Sequence, residues 1–303
     1  RKESSAASDV YKRQEVKGAE QPSDAQPSDN ENSDENAIAP VSAEGYKEVN
    51  GDVAHAFDSG GKYRLSDKSW SDSQITITKN TTIDLAGHML CHGPGSVGSF
   101  IVVQNNATLT IEDSAEVNDA TSSVTNNPGQ LAKMTWTGDN RGAPQSLTYY
   151  ETTSTPNTDG LGTTETTTEH VVSGFGAIVA ASDSGSVQQV ISVADGGTLN
   201  LNGGMVTTPR TLGNNGHVIF SRGTVNISGG YVANGSGGGW GGGLCMATGS
   251  LNMTGGVIAA NKAASGGGIF ADSGVTLNLS GGVISGNACL LYTSPSPRDV
   301  EES

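Results

Sequence analysis

The sequence predicts an all-β protein built as a parallel β-helix, a β-solenoid. Three features carry that prediction: a repeat of fixed length, a two-residue alternation inside it, and a glycine pair at each bend. The repeated phrase occurs as TIDLAGHML, TLTIEDSAE, TLNLNGGMV, TVNISGGYV, SLNMTGGVI and TLNLSGGVI. Anchored on the first glycine of each pair, or the residue in its place, the copies fall at Gly87, Asp113, Gly203, Gly229, Gly255 and Gly281. Successive anchors lie 26 residues apart, apart from one gap of 90 that holds a period plus 64 further residues. A constant period of this size marks units that stack on their neighbours.

Inside each phrase, Ile83, Leu109, Leu199, Val225, Leu251 and Leu277 form one column. Leu85, Ile111, Leu201, Ile227, Met253 and Leu279 form another, two residues on. Period two places both columns on one face of a strand. The intervening Asp84, Thr110, Asn200, Asn226, Asn252 and Asn278 face the other way. A second apolar pair follows the glycines, such as Val257-Ile258 or Val283-Ile284, and a third short strand follows in HVIF, GLCM and GIFA. Between copies, the third strand slips by one residue against its corner. Three short strands per repeat, bent at glycine and asparagine, describe one coil. A helix cannot carry this text, because each interior glycine would cost about 1 kcal/mol. Stacked at about 4.8 Å, the aliphatic columns become a continuous core.

These motifs resemble the right-handed β-helix repeats of pectin-lyase-like proteins. The run NKAASGGGIFADSG is more specifically similar to the glycine-rich, asparagine-trailed repeats of bacterial surface adhesins and polymorphic outer-membrane passengers. The resemblance covers roughly residues 75–288 and implies a right-handed coil in a secreted or surface-displayed protein. It implies no particular activity, since such repeats specify fold rather than chemistry.

Coils are expected over 75–126 and 191–288. Ahead of them, 46–74 reads as an N-terminal cap: Val49, Val53 and Phe57 recur every fourth residue before Gly60-Gly61, the spacing of a short amphipathic helix. Such a cap shields the open strand edges of a first coil. Residues 15–45, with eight acidic residues and one lysine, have the composition of a disordered segment. Between the coil blocks, 127–190 reads as a lateral insertion of threonine-rich strands, with GFGAIVA a degenerate coil. The two ends stand apart. SSAASDVYKRQ (4–14) and CLLYTSPSPRD (289–299) resemble translated sequencing adapters, so 1–14 and 289–303 are expected to be foreign to the fold and the natural protein longer at both ends.

Composition narrows the function. The formal charge is −15, and removing both ends takes away five basic and five acidic residues, so the acidity belongs to the body of the chain. This disfavours nucleic acid as a partner. The longest apolar run, FGAIVAA, is far short of the ~20 residues of a membrane helix. With Cys289 assigned to the end segment, Cys91 and Cys245 are too few for a disulfide framework; they fall in different columns several coils apart, beyond the ~7 Å Cα limit of a disulfide, and are expected to be buried thiols.

Catalytic patterns are sparse. Polysaccharide-cleaving β-helices need clustered carboxylates, yet Asp195 and Asp272 are the only acids in 191–288. Asp84, Glu112, Asp113, Glu116 and Asp119 in the first coils form the one acidic concentration, and it reads as a solvated edge. GGGWGG (237–242) lacks the helix a dinucleotide loop requires and reads as a corner. His55, His88, His92, His170 and His217 lack metal-ligand spacing, and no cofactor is expected.

Aromatics remain. Trp136, Tyr149 and Tyr150 in the insertion, and Trp240 in its glycine loop, are the candidate glycan-stacking residues; the competing expectation is that they seal the insertion onto the stack. The sequence thus predicts a non-catalytic, adhesin-like solenoid that contacts glycans or other cell-surface components. Its exposed last coil is expected to favour edge-to-edge self-association. The alternatives are a β-helix lyase or glycoside hydrolase, with its active site beyond Ala288 or in the acidic first coils, and a purely structural spacer.

Overall fold

The computed structural model describes residues 45–93, 98–125, 130–137, 143–158, 162–180, 187–209 and 216–289. Residues 1–44, which hold the first end segment and all of the acidic segment but Gly45, and residues 290–303 lie outside the described residues. What is described is all-β, with no helix, and is organised around long parallel sheets in a manner consistent with a β-solenoid.

Every pairing in the two large sheets is parallel. In the twelve-stranded sheet, one arm stacks Thr81–Asp84, Thr108–Glu112, Thr198–Leu201, Thr224–Ile227 and the first half of Ser250–Ala259. A second arm stacks Met89–His92, Ala177–Ala180, Met205–Thr207, Tyr231–Ala233 and the second half of Ser250–Ala259. Strands Gly61–Ser71, Ser250–Ala259 and Thr276–Ser285 run round the corner and belong to both arms. The six-stranded sheet stacks Ile75–Ile77, Ser99–Val103, Gln189–Val193, His217–Ser221, Leu244–Met246 and Ile269–Ala271.

Inward columns from all three faces meet in one core. Leu199, Val225 and Leu251 are in mutual register and fully buried, and Leu277 continues their column in the last coil. Ile178, Val206, Val232 and Ile258 supply the second face; Ile191, Ile219 and Leu244 supply the third. Outside the first arm, Asn226, Asn252 and Asn278 each donate Nδ2 to Oδ1 of the asparagine 26 residues earlier, at 2.7–2.8 Å.

The corners explain the glycine pairs, and the two members serve different needs. At Gly255 an added Cβ would collide with the Ser228 carbonyl of the coil below, so close stacking excludes a side chain. At Gly256 φ is +74°, a left-handed conformation that only glycine adopts without cost. The trailing asparagines close a further corner. Asn261, 1% exposed, accepts from the Gly235 N–H at 2.8 Å and donates to the Val232 carbonyl at 3.0 Å.

Four expectations are corrected. The first phrase pairs Ile83 with Ile111 and Thr81 with Leu109, two residues away from the column assignment above. Ala86 and Gly87, both at positive φ, form a wider corner there; because the slip is even, the same residues still face inward. Residues 46–74 contain no helix. Lys47–Asp52 and Gly61–Ser71 are strands already paired in the parallel sheet, so stacking begins before residue 75. Val53 and Phe57 sit in successive i→i+3 turns between these strands, with Gly60 at φ +67° ending them. They reach the core as a plug, 1% and 2% exposed. The insertion is a four-stranded antiparallel sheet of Asn118–Val124, Lys133–Trp136, Pro144–Pro156 and Thr163–Ser173, so it begins nearer 118 than 127. GFGAIVA and Gln189–Val193 belong to the parallel stack. Finally, Cys289 pairs with Ala263, so the ladder runs one residue into the end segment.

Three substitutions test this architecture. Leu251→Asp buries a lone carboxylate in the core and should lower unfolding free energy by several kcal/mol; a denaturant midpoint close to wild type would show that the column is not interior. Gly255→Ala should cost about 1–3 kcal/mol through overpacking against the Ser228 carbonyl. The same change at Gly274, where nothing lies within 4 Å, meets no such collision and isolates the cost of the backbone conformation, φ +87°.

Candidate functional site

The lateral sheet interrupts the repeat at the corner after Glu112, and Asp113 explains how the chain leaves and returns there. Asp113 occupies the first-glycine position. It accepts from the Gly87 N–H at 2.8 Å on one side and from the Gly176 N–H at 2.6 Å on the other, with Ala115 N–H at 3.3 Å. Gly176 lies beyond the sheet, so this carboxylate ties both ends of the excursion to the coil below.

Alternation along the lateral strands gives the sheet two unlike faces. Leu147, Tyr149, Val172 and Met134 point inward and pack on Ala177, Val179, Met205, Ala233, Val257 and Ala259, the outer side of the second arm. The Ala132 N–H donates to the Gly286 carbonyl at 3.2 Å, and the Ser285 hydroxyl donates to the Tyr150 carbonyl. The excursion therefore leaves an early coil and reaches the last one. At the rim of the docked face, His170 stacks on Tyr149 with centroids 4.7 Å apart. Its Nδ1 lies 2.9 Å from Asp119 and its Nε2 3.5 Å from Glu151. Burial, followed by the nearby Asp119, raises the Tyr149 phenol above its ordinary range.

The candidate aromatics separate accordingly. Tyr149 is 6% exposed and Trp136 is partly buried in the same docked cluster, so both seal the sheet to the stack. Tyr150 lies on the opposite face, where its hydroxyl donates to Glu169 at 3.0 Å. Glu169 also accepts from Ser122 at 3.1 Å, and hydroxyl pairs Thr152–Thr167 and Thr135–Ser146 flank it. Trp240 belongs to another part of the molecule. It is 59% exposed and stacks on Phe270 at 5.6 Å with planes 17° apart. The structure brings Trp136 and Tyr149 together, but leaves Tyr150 and Trp240 on separate surfaces. Trp70, 43% exposed, is a further surface aromatic that the repeat pattern did not single out.

The acidic first coils are engaged internally. Asp84, 2% exposed, binds Arg64 Nε at 2.7 Å and accepts from the Ser114 and Ala86 N–H groups at 2.8 and 3.0 Å. Burial pushes its carboxyl up, but Arg64 and these N–H donors outweigh it and leave the pKa below the ordinary value. Glu112 accepts from the Tyr46 hydroxyl at 2.6 Å, and this hydrogen bond, with burial, pushes Tyr46 up to about 12. A shallow groove of about 290 Å³ passes along Lys62, Thr82 and Thr110; hydroxyls and one ammonium line it, without a carboxylate pair.

The remaining candidates are structural. Cys91, Cys245 and Cys289 are free thiols; Cys245 is buried as expected, whereas Cys91 is only partly buried. Burial and then Asp272 raise Cys245 to about 11, which keeps it protonated at neutral pH. His217 is buried with Nδ1 2.9 Å from the Gly241 carbonyl, and burial lowers its pKa. Among the described residues, no three His, Cys, Asp or Glu side chains are placed to hold a metal ion. No helix among them is long and apolar enough to cross a membrane.

Asp84 gives a prediction with a definite sign. A carboxyl whose folded pKa is depressed stabilises the fold above its unfolded pKa, and that stability is lost as pH falls through the folded value. Urea midpoints should therefore fall below about pH 4. Asp84→Asn should cost about 2 kcal/mol at neutral pH, by removing the charged acceptor of the Arg64, Ser114 and Ala86 hydrogen bonds, and flatten that acid limb. An acid limb unchanged by the substitution would remove Asp84 from this role.

Comparison of the chain with protein-family models, with curated proteins and with solved structures finds no match.

Proposed function

We propose that this chain is a non-catalytic, adhesin-like protein of bacterial type, secreted or displayed on a cell surface. Its body is a right-handed β-helix with 26-residue coils related to the pectin-lyase-like architecture. It serves as a stalk, with weak glycan contacts made by the partly buried Tyr150 and the exposed Trp240. The observation that carries this reading is the fate of the carboxylates. Asp84, Glu112 and Asp113, the residues a β-helix enzyme would need free in the first coils, are held by Arg64, Tyr46 and backbone N–H groups. Carboxylates engaged in this way stabilise their corners, which supports a structural role for them.

The glycan contact is assigned to the outer face of the lateral sheet. Tyr150 there adjoins Glu169, Ser122 and Thr152, an aromatic body beside hydrogen-bonding groups, with Thr167 buried beneath Thr152. Trp240 provides a second, independent platform, its indole backed by Phe270. Single contacts of this kind are worth about 1 kcal/mol, and many copies on one surface convert weak binding into adhesion. The docked positions of Trp136 and Tyr149 favour a second reading, a spacer whose lateral sheet is purely a brace.

A glycan array probed with the full chain distinguishes these. Binding that falls about fivefold with Tyr150→Ala or Trp240→Ala, without cleavage products on long incubation, supports the adhesin. Cleavage abolished by alanine at Asp84, Glu112 or Asp113, in variants that still fold, would establish the enzyme instead. Neither binding nor cleavage leaves the spacer.

A further inference from the structure

The two ends of the stack differ. At the front, the turn carrying Val53 and Phe57 plugs the core, and both side chains are at most 2% exposed. At the back, Thr276–Ser285 pairs with Ser250–Ala259 and with no other described strand. Its residues Leu277, Leu279 and Ile284 are 43%, 50% and 46% exposed, whereas their partners Leu251, Met253 and Ile258 are fully buried. The back therefore presents a section of core framed by strand edges, a geometry that accepts another strand.

We propose that this end is a docking edge for one further coil-type segment, added in the parallel sense. The polarity of the hydrogen-bond ladders selects that occupant. On the outer face each asparagine donates backward, Asn226 to Asn200, Asn252 to Asn226 and Asn278 to Asn252. Asn278 thereby turns its Oδ1 toward the next position in the stack. At the trailing corner the sense is also fixed. The Gly235 N–H donates to Asn261 Oδ1 at 2.8 Å, and the Asn261 N–H donates to Asn287 Oδ1 at 3.0 Å. Asn261 Nδ2 donates back to the Val232 carbonyl at 3.0 Å, and Asn287 Nδ2 to the Ile258 carbonyl at 2.8 Å. The next member of the series would accept from the Asn287 N–H and donate to the Ile284 carbonyl.

A segment with Leu-Asn-Leu alternation, a glycine pair and a trailing asparagine satisfies both ladders and covers the three apolar side chains. A second copy related by a two-fold axis would pair the edge strands antiparallel. It would then set Asn278 against another Asn278 and offer nothing for the Asn287 corner. A head-to-tail copy would present the plugged front.

The test uses a peptide with the sequence of residues 264–289, which falls in register over the last coil, mixed with the full chain. Hydrogen exchange of the backbone amides of 276–285 that are not bonded to Ser250–Ala259 is the readout. A parallel cis version replaces residues 290–303 by the same sequence and is read by its melting midpoint. Saturable protection by the peptide, or a raised midpoint in cis, upholds the proposal if Asn278→Ala with Asn287→Ala in the added segment weakens the effect about tenfold. It is overturned if the alanine segment acts equally well, since simple apolar cover would then suffice, or if neither form has any effect. Protection of the outward amides of 276–285, those not bonded to Ser250–Ala259, in the absence of peptide also overturns it. Protection that rises with protein concentration alongside dimer in sedimentation assigns the edge to a second copy. Protection lost on deleting 290–303 assigns it to the chain's own tail.

Discussion

Parallel stacking in register is the constraint on which the rest of this molecule depends. When one strand lies about 4.8 Å above the last, each position along a coil is repeated by its neighbours, and an unsuitable residue is unsuitable throughout the ladder. Aliphatic side chains in the interior columns satisfy that condition by burial. Asparagines satisfy it by bonding in series, since each amide is donor to one neighbour and acceptor for the other. The backbone sets the stricter limit. At Gly229, Gly255 and Gly281 a Cβ would meet the carbonyl of the coil below, so the glycines follow from the stacking distance itself.

Asp113 shows how the constraint accommodates an interruption. The Gly-Gly corner it replaces is the place where the chain departs and returns, and its carboxylate supplies the hydrogen bonds that hold the gap closed. The departing sheet then turns a liability into an interface. Along the second arm, Met205, Ala233, Val257 and Ala259 point away from the interior core and would face water in a bare stack. The inner face of the lateral sheet covers them, so strands such as Met205–Thr207 are buried on both sides.

Chemical sameness follows from geometric sameness. A face built of Thr110, Asn200, Asn226, Asn252 and Asn278 offers one environment repeated, whereas a catalytic site needs unlike groups converging on a point. Unlike groups do meet where the lateral sheet joins the stack, at His170, Asp119, Glu151 and Tyr149, and there they bind one another. The features of the surface that remain individual are aromatic, and they lie apart.

The sequence by itself determined the strands, their alternation and the glycine corners, because these are set by local periodicity and by a register that, from Thr108–Glu112 onward, repeats unchanged along the first arm. It also held a signal for the docked face: consecutive apolar residues such as Met205-Val206 and Val257-Ile258 leave no polar side for water. It could not tell a helical spacing at Val49, Val53 and Phe57 from a strand followed by turns, since three residues fit both; packing against the first coil decided it. Nor could it show that Trp136 and Tyr149 would lie on the docked face and Tyr150 on the opposite one. That depends on which face of the lateral sheet meets the stack. The apolar side of the second arm makes that choice, through contacts between residues far apart in the chain.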